Sequence, residues 1–452
     1  MVKIGLECHV ELTEGIKTKI FCGCLNKGND TPNTRTCPTC LGLPGAKPNF
    51  NKAVLKIALK IACALNFKIN EEMYFSRKTY FYPDLPSSFQ ITQYEIPLGT
   101  QGIFENITLR RIHMEEDPGK LIHEGNQVLI DYNRSGTPLV EIVTEPEFTS
   151  PEHVREFLRK IITVLEYLGA YNRKSESSLR VDANISTTGA RVEIKNIGSI
   201  KDIEKALKSE IERQKKHVPQ EQETRSLAPE LQTSTTTRTK ETEEDYGYIF
   251  EANLPKITIS KKEIEEVKKT LPELADRKIQ RFMQEYAMKP EDAEVITADH
   301  NLAHLFEKVA KKIDHKLATR WFVREIPKIL NYNKITLEEW KITEKNIIEL
   351  LELLQENKIT ETTAQKVLEK LSQTMFSPKE YITKEKLTIV SSSKDLEEIA
   401  KKIIKEHQKA VQDYKNGEEK SFNFLVGQIM KQTRGTAAPS VVQNILKKLL
   451  KN

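Results

Sequence analysis

The sequence predicts an α+β protein: a mixed, largely antiparallel sheet domain with a few helices, followed by all-α regions. Three observations carry this. Up to about residue 258, short strand-like runs alternate with Pro and Gly punctuation. Beyond Ile259, apolar residues recur at helical spacing, as in Lys261 to Leu271, Leu302 to Ile313 and Glu344 to Gln355. Gly435 and Pro439 then separate two last helical patterns of a Lys-faced bundle. With Ser391–Ser393 as a second boundary, the expected domains are 1–258, 259–390 and 391–452.

The elements follow in order. Ile4–Leu12, IGLECHVEL, alternates strictly: Ile4, Leu6, Cys8, Val10 and Leu12 face the core, and Glu7, His9 and Glu11 face the other way. Such a strand offers two ligands to a divalent cation, or is simply an amphipathic edge facing water. Cys22, Cys24, Cys37 and Cys40 form two short pairs whose thiolates can converge tetrahedrally on one soft cation, predicting a structural Zn²⁺. Asn51 caps a helix to about Leu65, on which Cys63 is core filler. Arg77–Pro86 puts Lys78, Tyr80 and Tyr82 on one polar-tipped face ahead of Asp84, suiting either a substrate cleft or a core-edge strand with snorkelling tips.

Arg111–Asp117, RIHMEED, gathers three acids. Glu115 and Glu116 point to opposite faces of an extended strand, so only one can join a given site. Glu141 stands inside the apolar run Pro138–Val143, where a carboxylate is costly to bury unpaired. With Glu7 and His9 these acids make a mixed oxygen and nitrogen set suited to Mg²⁺ or Mn²⁺. Ser150 and Pro151 open a helix to about Leu168. Leu179–Ser186 and Ala190–Ile197 read as a hairpin with Arg180, Asp182 and Asn184 on one strand and Arg191, Glu193 and Lys195 on the other, a polar face that is wet or part of a site. The stretch 218–245 lacks an apolar period and reads as a long loop or lid.

Composition narrows the classes. Charged residues are 30% of 452, yet the net charge is only +5, so total charge indicates no partner. The Lys pairs of the last third, such as Lys447-Lys448, permit phosphate contacts or are solvated helix faces. No apolar run approaches the ~18 residues that span a bilayer, and the expectation is a cytoplasmic protein with no membrane partner. The phosphate-binding G-x-x-x-x-G-K-[ST], the dinucleotide G-x-G-x-x-G and the hydrolase G-x-S-x-G are all missing from the sequence.

Read together, IGLECHVEL, the cysteine cluster, CLGLPGAKPNFN, RKTYFYPDLPSSFQITQYEIPL, RIHMEEDPGK, DYNRSGTPLVEIVTEP, SSLRVDANIS, VEIKNIGS and FLVGQIMKQTRG occur in the order found in the B-subunit family of tRNA-dependent amidotransferases. The chain resembles that family over essentially its whole length. The resemblance implies a sheet-based cradle domain, a helical domain and a YqeY-like tail that grips tRNA. It implies a heterotrimer with an amidase-type glutaminase partner and a small third subunit. The substrates would be misacylated Asp-tRNA(Asn) or Glu-tRNA(Gln), with no role for DNA: ATP converts the carboxylate to an acyl phosphate, and channelled ammonia gives the amide. Carried over, the Mg²⁺ or Mn²⁺ ligands fall on Glu7, His9, Glu116 and Glu141. Lys78, Tyr80, Tyr82, Asp84, Arg180, Asp182, Glu193 and Lys195 become candidates for substrate contacts or the ammonia passage. Where the family has Arg between two tyrosines, this chain has Gly247, so an Arg-phosphate contact is not carried over. The competing expectation is a zinc-stapled tRNA-binding scaffold whose acids are structural.

Overall fold

A computed structural model of the chain describes residues 1–12, 14–172, 179–197, 199–228, 233–239, 246–389, 393–433 and 435–451. They fall into two compact units, Met1–Leu274 and Ala275–Asn452.

In the first unit the strands are β1 (Lys3–Glu11), β2 (Lys68–Ile69), β3 (Glu72–Met73), β4 (Ser76–Thr79), β5 (Phe89–Thr92), β6 (Gly99–Phe104), β7 (Ile107–Glu116) and β8 (Lys120–Glu124). They continue with β9 (Gln127–Asp131), β10 (Pro138–Thr144), β11 (Leu179–Ser186), β12 (Val192–Ile197), β13 (Glu223–Ala228), β14 (Thr233–Thr239), β15 (Gly247–Phe250) and β16 (Ile257–Thr258). Its helices are α1 (Lys52–Ala64), α2 (Pro151–Tyr167), α3 (Ile200–Lys216) and α4 (Lys261–Lys269).

Nine strands make one sheet in the order β14-β13-β12-β11-β1-β10-β7-β6-β2. Among its described pairings only β12 with β13 is parallel, and α3 lies between those strands in the chain, as a parallel neighbour requires a crossover. The alternation of β1 works as read: Ile4, Leu6, Cys8 and Val10 are at most 1% exposed. They join one core with Val54 and Ile61 of α1, Phe157 and Ile161 of α2 and Leu207 of α3. The caps hold too, with Asn51 accepting from the Ala53 amide and Ser150 from the His153 amide. Each such cap is worth about 1 kcal/mol to its helix.

The expected loop over 218–245 is corrected: β13 and β14 form there, extending the large sheet at its edge. The Thr-rich β14 has β-branched side chains that favour extended structure, and as the edge strand it needs no apolar alternation to pair with β13. Residues 229–232 and 240–245 of that stretch lie outside the described set. A smaller sheet, β15-β4-β5, carries the Lys78 and Tyr248 region. Helix α4 follows the expected boundary at 258 and packs on α1.

The second unit is helical from Ala275–Glu285 to Pro439–Lys451. One apolar cluster gathers around Phe306, Trp321 and Phe322, and another around Leu396, Leu425 and Leu446. The Thr360 hydroxyl donates to the Gly435 carbonyl at 2.6 Å. Ser391 and Ser392 of the expected boundary lie outside the described residues. Among the described residues no helix is long and apolar enough to cross a membrane.

Candidate metal and substrate site

Strand register builds the site. β1 lies between β10 and β11, pairing His9 with Glu141 on one side and with Arg180 on the other, and Glu141 pairs onward with His113 of β7. Directly paired residues point to the same face, so Arg180, His9, Glu141 and His113 form one row across four strands. Nε2 of His9 lies 3.6 Å from Glu141 and 3.9 Å from Glu115. One donor atom from each of His9, Glu115 and Glu141 falls within 4.8 Å of the other two, a hard oxygen and nitrogen set that fits a divalent cation such as Mg²⁺ or Mn²⁺.

Electrostatics binds the set together. Burial presses His9 toward neutrality, but Glu141, Glu115 and Asp182 outweigh it and raise its pKa to about 9. Burial opposes ionisation of Glu141 as well, yet His113 and His9 hold it well below the usual carboxylate range.

Glu116 is not in this set. It shares its face of β7 with Ile112 and Met114, and its carboxylate accepts from the Ile91 amide at 2.9 Å. It lines a cavity of about 220 Å³ together with Cys22, Cys40, Arg77, Phe89 and Glu251. Burial, with Cys40 and Glu115 adding, pushes its pKa up to about 8. Across that cavity Arg77 grips the fully buried Glu251 through two bonds of 2.6 and 3.0 Å. Periodicity leaves the choice between Glu115 and Glu116 open, and the fold places Glu115 beside His9. The alternation of His113 and Glu115 in RIHMEED was the available signal.

Glu7 sits instead with the hairpin acids. Donor atoms of Glu7, Asp182 and Glu193 lie within 4.8 Å of one another. Lys195 Nζ is 3.6 Å from Asp182 and 3.7 Å from Glu193. Asn184 donates to Glu7 at 2.8 Å, and Thr224 to Glu193 at 3.0 Å. Although burial alone would lower it, Asp182, Glu193 and Glu7 raise the Lys195 pKa to about 12. Asp182, Asn184, Glu193 and Lys195 of the hairpin's polar face therefore belong to this cluster, while Arg191 is exposed. Arg180 is held from behind by the buried Asp117 at 2.8 Å, and Asp117 also takes Arg134 at 2.5 Å.

The small sheet supplies aromatic and cationic groups. Lys78 Nζ lies 4.3 Å from the Tyr246 ring centre and 5.7 Å from that of Tyr80, and Tyr94 stacks on Tyr248 at 4.0 Å. Burial, Glu115 and Asp84 all push the Tyr80 hydroxyl upward, so it stays a donor. Tyr82 is exposed. Asp84 accepts the Gly119 amide through its carbonyl. A Cβ at Gly247 would meet only Thr79, at 3.7 Å, an ordinary van der Waals contact.

The four cysteines converge, with one sulfur of each within 4.8 Å of the others, a donor set that fits Zn²⁺. Sequence reasoning missed Lys19, which is fully buried. Its ammonium lies 3.5 Å from Cys40 Sγ and donates to the Tyr132 carbonyl at 3.2 Å. The bond from Cys22 and the nearby Lys19 charge bring the Cys40 pKa down to about 4. The loop is fastened outside as well, where Asn33 and Asn133 accept from the amides of Tyr132 and Arg35.

Comparison with known proteins gives the family of the chain. Residues 2–265 match the model of the GatB/GatE catalytic domain, and residues 304–450 match that of the GatB domain. The chain belongs to the GatB/GatE family. Among similar curated proteins, the B subunit of aspartyl/glutamyl-tRNA(Asn/Gln) amidotransferase from Carboxydothermus hydrogenoformans is 42% identical, over 98% of this chain and 97% of the relative. The protein of the same name from Methanothermobacter thermautotrophicus is 43% identical over 99% of both chains. That from Thermotoga petrophila is 41% identical over 99% of this chain and 98% of its own. Both acid clusters and the cysteine cluster of this GatB/GatE chain lie inside the matched catalytic domain.

Proposed function

We propose that this chain is the amidating component of a glutamine-dependent amidotransferase, converting Asp-tRNA(Asn), Glu-tRNA(Gln) or both to the amide forms in the cytoplasm. Its partners in this reading are an amidase-type glutaminase and a small third subunit. The observation that carries it is the convergence of His9, Glu115 and Glu141 beside Glu7, Asp182 and Glu193 on one sheet face, in a chain whose relatives carry that activity in their names.

The chemistry has two displacements. A carboxylate oxygen of the tRNA-borne amino acid attacks the γ-phosphorus of ATP, and ADP leaves with the electron pair of the broken P–O bond. Ammonia then attacks the acyl carbon, loses a proton and expels phosphate. Positioning and charge neutralisation do most of the work in such a transfer. His9, Glu115 and Glu141 would hold the divalent cation, with Glu7 beside them and Glu115 in the place that the family resemblance gives to Glu116. Once bound, that ion neutralises phosphate oxygens. Arg180, braced by Asp117, and Lys195 present cationic groups on the same face. Lys78, Tyr80, Tyr82 and Asp84 supply donors and acceptors near the acyl end or along the ammonia path. The cysteine cluster would hold a structural Zn²⁺ and close the loop 22–40.

The test is amide formation by the reconstituted complex with each mischarged tRNA, ATP and glutamine. Glu141→Gln should abolish the product on every tRNA while tRNA affinity is kept. Full activity in that variant would overturn the reading.

A further inference from the structure

His113 belongs to no ligand set assigned so far, yet it is the most deeply enclosed ionisable group of the row. It is 2% exposed, too deep to touch a substrate. Nε2 stands 3.1 Å from Oε2 of Glu141 and 3.7 Å from Oε2 of Glu115. On the other side, His9 Nε2 faces the same Glu141 oxygen at 3.6 Å but the opposite oxygen of Glu115, Oε1, at 3.9 Å. Glu141 therefore lies between two imidazoles, within hydrogen-bond reach of His113 alone, whereas Glu115 accepts from the Thr92 hydroxyl at 3.2 Å.

The proton on His113 can be placed. Nδ1 is buried and has no hydrogen-bond partner among the described atoms. A proton on Nδ1 would leave that N–H unsatisfied and set the Nε2 lone pair against a carboxylate lone pair 3.1 Å away. Both are unfavourable, so the proton belongs on Nε2, directed at Glu141.

We propose that His113 is the positioning residue of the cation centre: its Nε2–H occupies a rear lone pair of Glu141 and turns the remaining lone pairs of that carboxylate toward His9, while the Thr92 hydroxyl donates to Glu115. The inference rests on the reading that His9, Glu115 and Glu141 bind a divalent cation, and it adds how the flexible Glu141 carboxylate is aimed before the ion arrives. Groups that orient metal ligands in this way typically change affinity by about tenfold to a hundredfold when removed.

The experiment is titration of the full chain with Mn²⁺, followed by electron paramagnetic resonance, on wild type, Glu141→Gln, His113→Gln and His113→Asn. The Gln amide nitrogen is four bonds from Cα, as Nε2 is, whereas that of Asn is three and cannot reach Glu141. Wild type should bind an ion that Glu141→Gln loses. His113→Asn should bind it roughly tenfold to a hundredfold more weakly, and His113→Gln should return close to wild type with the wild-type spectrum. A merely space-filling role would not separate the two amides in that order. Wild-type affinity in His113→Asn, or a folded His113→Gln as weak as Glu141→Gln, overturns the positioning role. Should His113→Asn melt early, the His113→Gln comparison still decides. If wild type binds no Mn²⁺, or Glu141→Gln binds it unchanged, the cation centre itself falls and the role of His113 with it.

Discussion

Glu115 and Glu116 are neighbours in sequence with opposite surroundings, and the difference is measurable. Glu115→Gln removes an oxygen that faces His9 and should abolish Mn²⁺ binding, whereas Glu116→Gln should leave it intact; titration of both variants decides which acid belongs to the centre. On the cavity side, Arg77→Met would strand the fully buried Glu251 without its guanidinium. A buried ion pair that loses one partner is destabilised by about 3 kcal/mol or more, which urea denaturation would reveal. The same pair sets a pH dependence. Arg77 and Asn253 hold Glu251 below its ordinary value of 4.5 against the opposing effect of burial. Its contribution is present above that value and is lost as pH falls through the lowered folded value. Wild type should therefore lose stability relative to Glu251→Gln as pH falls below 4.5, a narrowing visible in denaturation curves recorded above and below that pH.

At the scale of elements, legibility follows the strength of the local signal. β1 was readable because one face is uniformly apolar, and α1 and α2 because Asn51 and Ser150 mark their starts. The β13 and β14 strands were not, since both are mostly polar with no apolar alternation, and the Thr content of β14, the edge strand, was the only hint. The cysteine loop was legible as a chelating pattern, but Lys19 was not, because nothing local signals that a lysine will be fully buried. The loop's dependence on metal is a prediction of its own. Stripping the full chain with a chelator, or Cys37→Ser with Cys40→Ser, should release one Zn²⁺ per chain and raise amide exchange over residues 22–40, while β1 and β10 stay protected. Unchanged exchange would mean that the hydrogen bonds from Asn33 and Asn133 hold the loop without an ion.

For the whole molecule, what the sequence withheld was partnership between distant strands. Glu7 meets Asp182 and Glu193 only because β11 pairs with β1 and β12 with β11, and no periodicity says which strands become neighbours. Family resemblance names Glu7, His9, Glu116 and Glu141 together, whereas the fold groups His9 with Glu115 and Glu141, and Glu7 with Asp182 and Glu193. Division of labour along the chain is testable: removing residues 391–452 should weaken tRNA binding in a filter or gel-shift assay and leave Mn²⁺ binding by the first unit unchanged. Unaltered tRNA affinity would take the tail out of substrate recognition.

The two faces of β7 set a constraint on how this protein can vary. One residue more ahead of Ile112 would drop Glu115 into the cavity beside Cys40 and Arg77, and one residue fewer would carry Glu116 to the place beside His9, with the acids themselves unchanged. The count of residues in that strand is thus restrained along with their identity: the irregularity opposite Val143 and Thr144 already takes up one residue between Leu109 and Arg111, and an insertion or deletion beyond it exchanges the surroundings of the two acids.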